Sequence, residues 1–216
     1  THLMIKFRHI NLAVCIALCA SAFISTANAT VTLKIATLAP DGTGTMKELR
    51  AAGDAINKAT SGRVVVKYFP GGVMGNDDAV MKKIKLGQLN GALSSSTALA
   101  DLYPDCQVYS LPFLFKSYAQ VDAVRAKFDP ILRAGLEAKG MAVMGMSEIG
   151  FSYLMGQKPI YTPNDLKGAK VWLPQGDALS EAALQAAGVS GVPLAIPDVY
   201  TGLQTGLLDT VANVPV

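Results

Sequence analysis

Strand-like runs alternate with helical segments through most of this chain, and that alternation limits its fold more than any other feature. Leu33 to Leu38 alternates apolar and polar residues, and Arg63 to Phe69 is rich in β-branched and aromatic residues. Between them, apolar residues recur at helical spacing from Met46 to Thr60. Strands that alternate with helices of about 10–15 residues form βαβ units. The sequence therefore predicts an α/β fold with largely parallel sheets.

The same alternation continues along the rest of the chain. We expect further strands at Asn90 to Ser94, Met141 to Met146, Gly150 to Met155, Ala169 to Leu173 and Leu207 to Ala212. We expect further helices at Asp77 to Leu86, Ala98 to Tyr103, Tyr118 to Lys139, Asp177 to Ala187 and Asp198 to Thr205.

The first 29 residues have the pattern of an export signal. Lys6 and Arg8 precede an apolar run from Ile10 to Ile24, and Ala27-Asn28-Ala29 then matches a signal-peptidase site. Two polar residues interrupt the run, which is shorter than the ~20 apolar residues that a membrane span needs. We expect residues 1–29 to be a Sec-type signal peptide with an N-terminal extension, cleaved after Ala29. The mature protein would then reside in the periplasm.

Residue usage excludes several function classes. His2 and His9, the two histidines of the chain, lie in the export signal, so the mature protein has no Ser-His-Asp triad and no histidine-ligated metal. Removing Lys6 and Arg8 leaves 17 basic against 16 acidic side chains, a balance that does not favour nucleic acid. We expect no catalytic residue, no metal site and no cofactor. Cys106 has no partner for an internal disulfide in the mature chain.

Two local motifs resemble catalytic or phosphate-binding sequences but fail in detail. Gly71-Gly72-x-x-Gly75 lies between a strand and a helix, yet it matches neither dinucleotide-binding nor Walker patterns. Gly150-Phe-Ser152 resembles a nucleophile elbow until Leu154 replaces the last glycine. Asn76-Asp77 is a good N-cap for the helix that follows. Asp77 and Asp78 could attract a cation, but adjacent side chains diverge on a helix, and capping is a sufficient explanation for them.

Polar and aromatic residues at the carboxyl ends of strands favour a binding function. In open α/β sheets, ligands bind in a crevice at those ends. The candidate binding residues are Thr37, Ser95, Glu148, Ser152, Trp172, Gln175, Asp177 and Asn213. Each also has a structural interpretation, because the hydroxyls and Asp177 are able to cap helices and Glu148 to be solvated. Trp172, the single tryptophan, is either a stacking surface for a solute or a large core residue.

From Leu33 to the last residue, the chain resembles the extracytoplasmic solute receptors of tripartite ATP-independent periplasmic (TRAP) transporters. The matching motifs are Ile35 to Pro40, Tyr68 to Gly75, Ile84 to Leu89, Leu111 to Phe115, Asp165 to Gly168 and Tyr200 to Gly206 followed by Asp209. The resemblance implies a monomeric, two-lobed receptor that captures a small organic solute in an interlobe cleft. The receptor would deliver the solute to the membrane permease subunits of the transporter.

The resemblance also implies a division into lobe I, residues 30–148, and lobe II, residues 149–216. Family members continue past Val216, so we expect a chain that is truncated at its C-terminus and closes less well. Many members carry an arginine at the position of Trp172 and a second basic residue at the position of Ser152, whereas Asn213 matches a family asparagine. An arginine clamps a carboxylate through charge-assisted bonds about twice as strong as neutral ones. Without this clamp, one hypothesis is a neutral or cationic solute that stacks on Trp172, with Glu148, Asn213 and loop hydroxyls as polar contacts. The other is that Trp172 lies in the core of its lobe and another group carries the clamp.

Two other functions stay open from the sequence. One is a solute receptor that serves another importer or a chemoreceptor. The other is a secreted enzyme that uses Glu148 or Asp177 as a general base, which requires a carboxyl group with a raised pKa beside the reacting centre.

Overall fold

The computed structural model of this chain describes residues 29–214. The predicted signal peptide occupies residues 1–29 and so lies, apart from its last residue, outside the described part. Among residues 29–214, no helix combines the length and the apolar character needed to cross a bilayer.

The N-terminal part folds into a three-stranded parallel sheet. Its elements are β1 (Val31–Thr37), α1 (Gly44–Ala59), β2 (Val64–Phe69), α2 (Asp77–Lys85) and β3 (Gly91–Leu93). The strand order is β2-β1-β3, and β1 pairs in parallel with both neighbours. The chain therefore moves to one side of β1 after the first crossover and to the other side after the second.

The two crossover helices cover opposite faces of this sheet. Gly53 of α1 lies against the side chains of Val66 and Tyr68, whereas Val80 of α2 packs in a buried cluster with Ala36. Reversal of direction with helices on both faces is the doubly wound arrangement. It places a topological switch point between the carboxyl ends of β1 and β3.

A helical connection follows β3. Short 3-10 turns at Thr97–Leu99 and Pro104–Ser110 lead to α3 (Tyr118–Glu137), which Ser117 caps. The helix predicted at Ala98 to Tyr103 is wrong, since only its first residues form a 3-10 turn. Tyr103 is extended, with φ −147° and ψ 100°, as expected for a residue before proline.

The strand predicted at Met141 to Met146 is also wrong, because the segment has no β-partner among the described residues. Instead, Arg133 and Arg125 of α3 donate hydrogen bonds to the carbonyls of Val143 and Met146. These arginine side chains thus donate the hydrogen bonds that a neighbouring strand would donate to the two carbonyls.

The C-terminal part contains four short strands and two helices. They are β4 (Tyr153–Gly156), β5 (Trp172–Pro174), α4 (Ala178–Ala186), β6 (Val192–Leu194), α5 (Val199–Gln204) and β7 (Thr210–Asn213). β5 pairs with β6 in parallel, β4 pairs with β7 antiparallel, and a bridge from Val171 to Thr210 connects the two pairs. Leu166, Val171 and Val189 form the buried cluster beneath β5.

The prediction of an α/β fold with largely parallel sheets is confirmed, since the β4–β7 pair is the one antiparallel pairing of named strands in the described part. The sequence did not predict β6, because Pro193 lies at its centre. Proline lacks the N–H that a central strand needs, but β6 pairs with β5 alone and so tolerates it.

Candidate functional site

The carboxyl end of β1 is covered by the glycine turn that follows β2. The Thr37 carbonyl accepts the N–H of Gly72 at 3.2 Å, and the Ala39 carbonyl accepts that of Gly71 at 2.9 Å. The Thr37 side chain is 5% exposed, and its Oγ1 accepts the N–H of Ala39 at 3.1 Å. Thr37 therefore shapes the end of the strand, and its hydroxyl oxygen is already engaged by the backbone.

This glycine turn meets the C-terminal part of the chain. A Cβ on Gly72 would lie 2.8 Å from Cγ of Pro197, which follows β6, and Gly72 has φ +73°. Both the close approach and the positive φ require glycine at this position.

A second contact joins the two sheets at the same ends. A Cβ on Gly176, which follows β5, would lie 3.6 Å from Oδ2 of Asp78, in the first turn of α2. The loops after β5 and β6 thus lie against the loop after β2 and the start of α2. We call the region between these two sets of loops the crevice, because ligands of open α/β sheets bind outside the carboxyl ends of the strands.

Acidic side chains are a feature of this crevice that sequence reasoning missed. The N-cap of α2 is Asn76, whose Oδ1 accepts the N–H of Ala79 at 3.1 Å. This confirms the predicted cap at Asn76, whereas Asp77 and Asp78 lie in the first turn of the helix and do not cap it. The carboxylate of Asp77 instead accepts the hydroxyl of Ser94, after β3, at 2.7 Å. Burial raises the pKa of Asp77, hydrogen bonding by Ser94 opposes the rise, and the neighbouring Asp78 adds to it.

The signal for these two carboxylates was present in the sequence. Asn76 is an efficient N-cap by itself, so the two aspartates that follow it were available for another role. Asp77 spans the switch point, because it connects the start of α2 to the segment after β3. Burial is the main cause of the raised pKa of Asp77.

Two predicted residues lie in the loop after β5. Gln175 is exposed, and its N–H binds the Leu194 carbonyl at 3.2 Å. Asp177 caps α4, since its Oδ1 accepts the N–H of Ser180 at 3.1 Å and its Oδ2 accepts the Ser180 hydroxyl at 2.7 Å. Asp177 therefore fulfils the capping role that the sequence left open, while Gln175 presents a free amide beside the crevice.

Trp172 lies beneath this loop and is only 5% exposed. Its indole Nε1–H donates to the carbonyl of Leu194, at the end of the neighbouring strand, at 3.0 Å. The ring therefore ties β5 to β6 and has almost no free face. In this conformation the geometry favours the core interpretation of Trp172.

Ser95, the remaining candidate of the first sheet, is exposed just after β3. Its hydroxyl lies 2.9 Å from that of Thr97 and accepts the N–H of Ala98 at 3.3 Å. It stabilises the first 3-10 turn close to the switch point.

Three other candidates lie near the β4–β7 pair. Asn213 pairs with Tyr153, so Ser152 precedes that pairing, and Asn213 Oδ1 accepts the N–H of Val214 at 2.8 Å. Glu148 lies 3.9 Å from the guanidinium of Arg125, and its side chain is 41% exposed. Ser152 and Asn213 therefore lie at the same end of the β4–β7 pair.

Catalytic chemistry has little support in the described residues. Within residues 29–214, no group of three or more His, Cys, Asp or Glu side chains could hold a metal ion. Cys106 is 2% exposed, and burial raises the pKa of its thiol, which favours the unreactive protonated form.

Comparison with known proteins places the chain among binding proteins. Residues 35–215 match the model of the DctP family, described as bacterial extracellular solute-binding protein, family 7. The chain is 31% identical over 158 residues to the 2,3-diketo-L-gulonate-binding periplasmic protein YiaO of Escherichia coli, covering 72% of this chain and 48% of that protein. It is 29% identical over 178 residues to the C4-dicarboxylate-binding periplasmic protein DctP of Rhodobacter capsulatus, covering 82% and 52%.

A solved structure gives the same result. The TRAP periplasmic solute-binding protein of Sulfurospirillum deleyianum, with bound succinate, superposes with a TM-score of 0.76 at 28% identity. The match covers 86% of this chain and 60% of that one. The chain therefore spans about half the length of the curated relatives that it matches.

Proposed function

Since this chain belongs to the DctP family of bacterial extracellular solute-binding proteins, we propose that the protein captures a small organic solute in the periplasm. It then delivers the solute to the membrane permease subunits of a TRAP-type transporter. The single observation that carries this proposal is the meeting of the two parallel sheets at their carboxyl ends. Gly72 lies against Pro197 there, and Gly176 lies against Asp78.

We place the solute between two lobes, residues 30–148 and 149–216. The two close approaches, Gly72 with Pro197 and Gly176 with Asp78, each join one range to the other, as expected beside an interlobe cleft. The binding residues include the eight sequence candidates, Thr37, Ser95, Glu148, Ser152, Trp172, Gln175, Asp177 and Asn213, with Asp77 and Asp78 added from the structure. Thr37, Trp172 and Asp177 act by positioning, since their polar atoms bind the protein itself.

The residues of this chain favour solutes other than simple dicarboxylates. By resemblance, Trp172 stands where many relatives carry an arginine, and Ser152 stands where many carry a basic residue. Carboxylates that line the crevice, such as Asp77 and Asp78, accept hydrogen bonds from hydroxyl or ammonium groups. Lys83 of α2 reaches the glycine turn, but its ammonium group donates to the Met74 carbonyl at 2.9 Å. A neutral or cationic solute that bears hydroxyl groups therefore suits the crevice better than succinate does.

A binding role is better supported than an enzymatic one. The family that matches is a family of binding proteins. Glu148 faces Arg125 and Asp177 is used as a helix cap. Neither carboxyl group has the buried setting that a general base at neutral pH requires.

A thermal-shift panel tests the proposal. The panel contains succinate, galacturonate, a neutral polyol and a hydroxylated quaternary amine, and it is run on this chain and on the longest natural polypeptide that contains it. A ligand that binds the folded state raises the unfolding temperature in proportion to ln(1 + [L]/Kd). We expect the polyol or the amine to give the largest shift, whereas a dominant shift with succinate contradicts the proposed solute class.

Mass spectrometry of small molecules released from the purified protein complements the panel. A released organic solute that also shifts the unfolding temperature supports the receptor function. Turnover of that solute by the purified protein would instead favour a secreted enzyme. A receptor that serves a chemoreceptor is distinguished by pull-down with the TRAP permease subunits, which the proposal predicts to succeed.

A further inference from the structure

The outer edge of β2 is open. In the order β2-β1-β3, β2 has a neighbour on one side alone, and within residues 29–214 no strand pairs with its other side. Edge strands with free main-chain groups are sites where a further strand is able to add. This edge runs along the side of the sheet, whereas the crevice lies at the carboxyl ends of the strands.

The free main-chain groups can be assigned. The N–H of Val31 donates to the carbonyl of Arg63, and in a parallel ladder alternate residues of β2 then face β1. Val64, Val66 and Tyr68 therefore direct their N–H and C=O groups outward. Two side-chain contacts agree with this assignment, because Asn57 Nδ2 donates to the Val64 carbonyl at 3.2 Å and the Val64 N–H donates to Oγ1 of Thr60 at 3.1 Å.

These two contacts close the start of the edge and leave its centre open. Side chains at the C-terminal end of α1 satisfy Val64, so a new strand is blocked there. At Val66 and Tyr68, no comparable side-chain bond occupies the outward main-chain groups of the described structure. The open edge therefore has two outward-facing residues, Val66 and Tyr68. Each offers one N–H and one C=O, so an added strand is able to form up to about four hydrogen bonds.

A groove runs along this open part. It lies between α1 and β2, has a volume of about 360 Å³, and is lined by Arg50, Gly53, Asp54 and Asn57 of α1 together with Val65, Val66, Lys67 and Tyr68 of β2. At Gly53, α1 packs closely on β2, since a Cβ there would lie 3.2 Å from the Tyr68 ring. Residues of an added strand that lie beside Val66 and Tyr68 would point into this groove, because side chains alternate between faces.

The opposite face carries positive charge. Lys34 of β1 and Lys67 of β2 are paired in register, so their side chains lie next to each other on the face away from α1. Both side chains are exposed, and the Lys67 ammonium group lies 5.3 Å from the centre of the Phe69 ring. A residue added beside Lys67 would meet two lysines in succession, which favours a carboxylate at that position.

We propose that the outer edge of β2 is a docking site for an extended, acidic segment of a partner protein. The segment adds as a fourth strand through the main-chain groups of Val66 and Tyr68. It places an acidic side chain beside Lys67 and Lys34, and an apolar side chain on either side of it in the groove beneath α1. This is peptide recognition by strand addition, and it does not depend on the solute-binding function.

A second copy of this chain fits the edge less well. Antiparallel pairing of two β2 edges through Val66 and Tyr68 would place Lys67 directly opposite its counterpart. Like charges at directly opposed positions destabilise a strand pair. Lysine at an edge strand is also a common protection against self-association. The same charge that opposes a second copy attracts an acidic segment.

Fluorescence anisotropy with a labelled peptide tests the proposal. The probe is the capped heptapeptide Ser-Glu-Val-Glu-Val-Glu-Ser, in which valines face one side and glutamates the other. A charge-reversed peptide with lysine in place of glutamate is the matched control. We expect the acidic probe to bind with a Kd below about 1 mM and the basic peptide to bind at least about tenfold more weakly.

Two variants localise the binding. Val66→Pro removes an outward N–H and leaves the bonds to β1 in place, so we expect binding to be lost while the circular dichroism spectrum is retained. Lys67→Glu is expected to reverse the preference between the two peptides, and Lys139→Glu, the same charge change at an exposed residue after α3, is expected to leave it unchanged. Lys67→Glu also serves if Val66→Pro fails to fold.

Three results would overturn the proposal. They are no binding of the acidic probe up to millimolar concentration, equal binding of the acidic and basic peptides, and unchanged binding to Lys67→Glu. Concentration-dependent dimers of the chain that Lys67→Glu abolishes would show that a second copy, not an acidic segment, uses this edge.

Discussion

Replacement of Trp172 by alanine distinguishes the two interpretations of the single tryptophan. The side chain is 5% exposed and donates a hydrogen bond to the Leu194 carbonyl at 3.0 Å. Truncation of a buried tryptophan to alanine costs about 3–5 kcal/mol of unfolding free energy, since the cavity collapses only in part. A stacking surface exposed to solvent would instead lose little stability.

The hydrogen bond contributes less to this cost than the packing does. The Leu194 carbonyl also accepts the N–H of Gln175 at 3.2 Å, so it keeps one donor when the indole is removed. Trp172→Phe retains most of the ring volume and loses the donor, which we expect to cost about 1–2 kcal/mol. The difference between the two variants therefore measures how much of the effect comes from packing.

Thermal and urea unfolding followed by circular dichroism measure the effect, because the variants lack the tryptophan fluorophore. For a domain of this size, 1 kcal/mol corresponds to roughly 2–4 °C in Tm, so Trp172→Ala lowers Tm by about 6–20 °C. Tyr161→Ala, at a side chain 88% exposed, is the control and should change stability by less than about 0.5 kcal/mol. A loss below about 1 kcal/mol for Trp172→Ala would refute the core interpretation.

Three further predictions concern single side chains. Burial raises the pKa of Asp77 above the ordinary carboxyl pKa. Between these two pKa values the folded state binds more protons than the unfolded state, so stability falls as pH rises through that window. Asp77→Asn should therefore raise Tm at neutral pH and have little effect in acid; a Tm difference that is larger in acid would contradict this. Gly135→Ala should destabilise α3 by about 1–3 kcal/mol in urea unfolding, although alanine is the better helix former, because the added Cβ overlaps the Tyr103 ring. Tyr103→Ala should remove that penalty, and a stabilising Gly135→Ala would show that the ring moves freely. Tyr109→Phe removes a 2.6 Å bond to Asp129 and should cost about 1–2 kcal/mol by the same measurement, whereas no change would mean that water replaces the hydroxyl.

Local signals in the sequence predicted the elements of the first sheet. Thr43, Asn76 and Ser117 accept the backbone N–H groups that begin α1, α2 and α3, so each helix start is encoded within a few residues. The three-residue strands β5 and β6 are different, because contacts between distant segments define them. Met141 to Met146 has the composition of a strand, but arginine side chains of α3 bind its carbonyls. That outcome depends on the tertiary fold.

The sequence predicted which candidate residues follow the strands, but it did not predict which groups these residues contact. Gln175 follows β5 and Ser95 lies just after β3, as the sequence predicts, while their part in solute binding stays a prediction. Strand ends alone do not predict that both carboxylate oxygens of Asp177 bind Ser180, or that Trp172 is buried against the end of β6. Nor do they predict that Asp77 binds Ser94, which lies 17 residues away. Such long-range partners follow from the strand order β2-β1-β3, which composition and spacing do not determine.

Titration of the solute that co-purifies with the protein tests the central claim most directly. The solute is first identified by mass spectrometry and then titrated by calorimetry into the wild type, Asp78→Lys and Asp101→Lys. Asp78 lies at the contact between the two sheets, whereas Asp101 is an exposed residue in the connection before α3 and serves as the matched control. We expect Asp78→Lys to weaken binding at least about tenfold and Asp101→Lys to leave it unchanged. Equal affinities for all three proteins would contradict a solute site in the crevice between the two sheets.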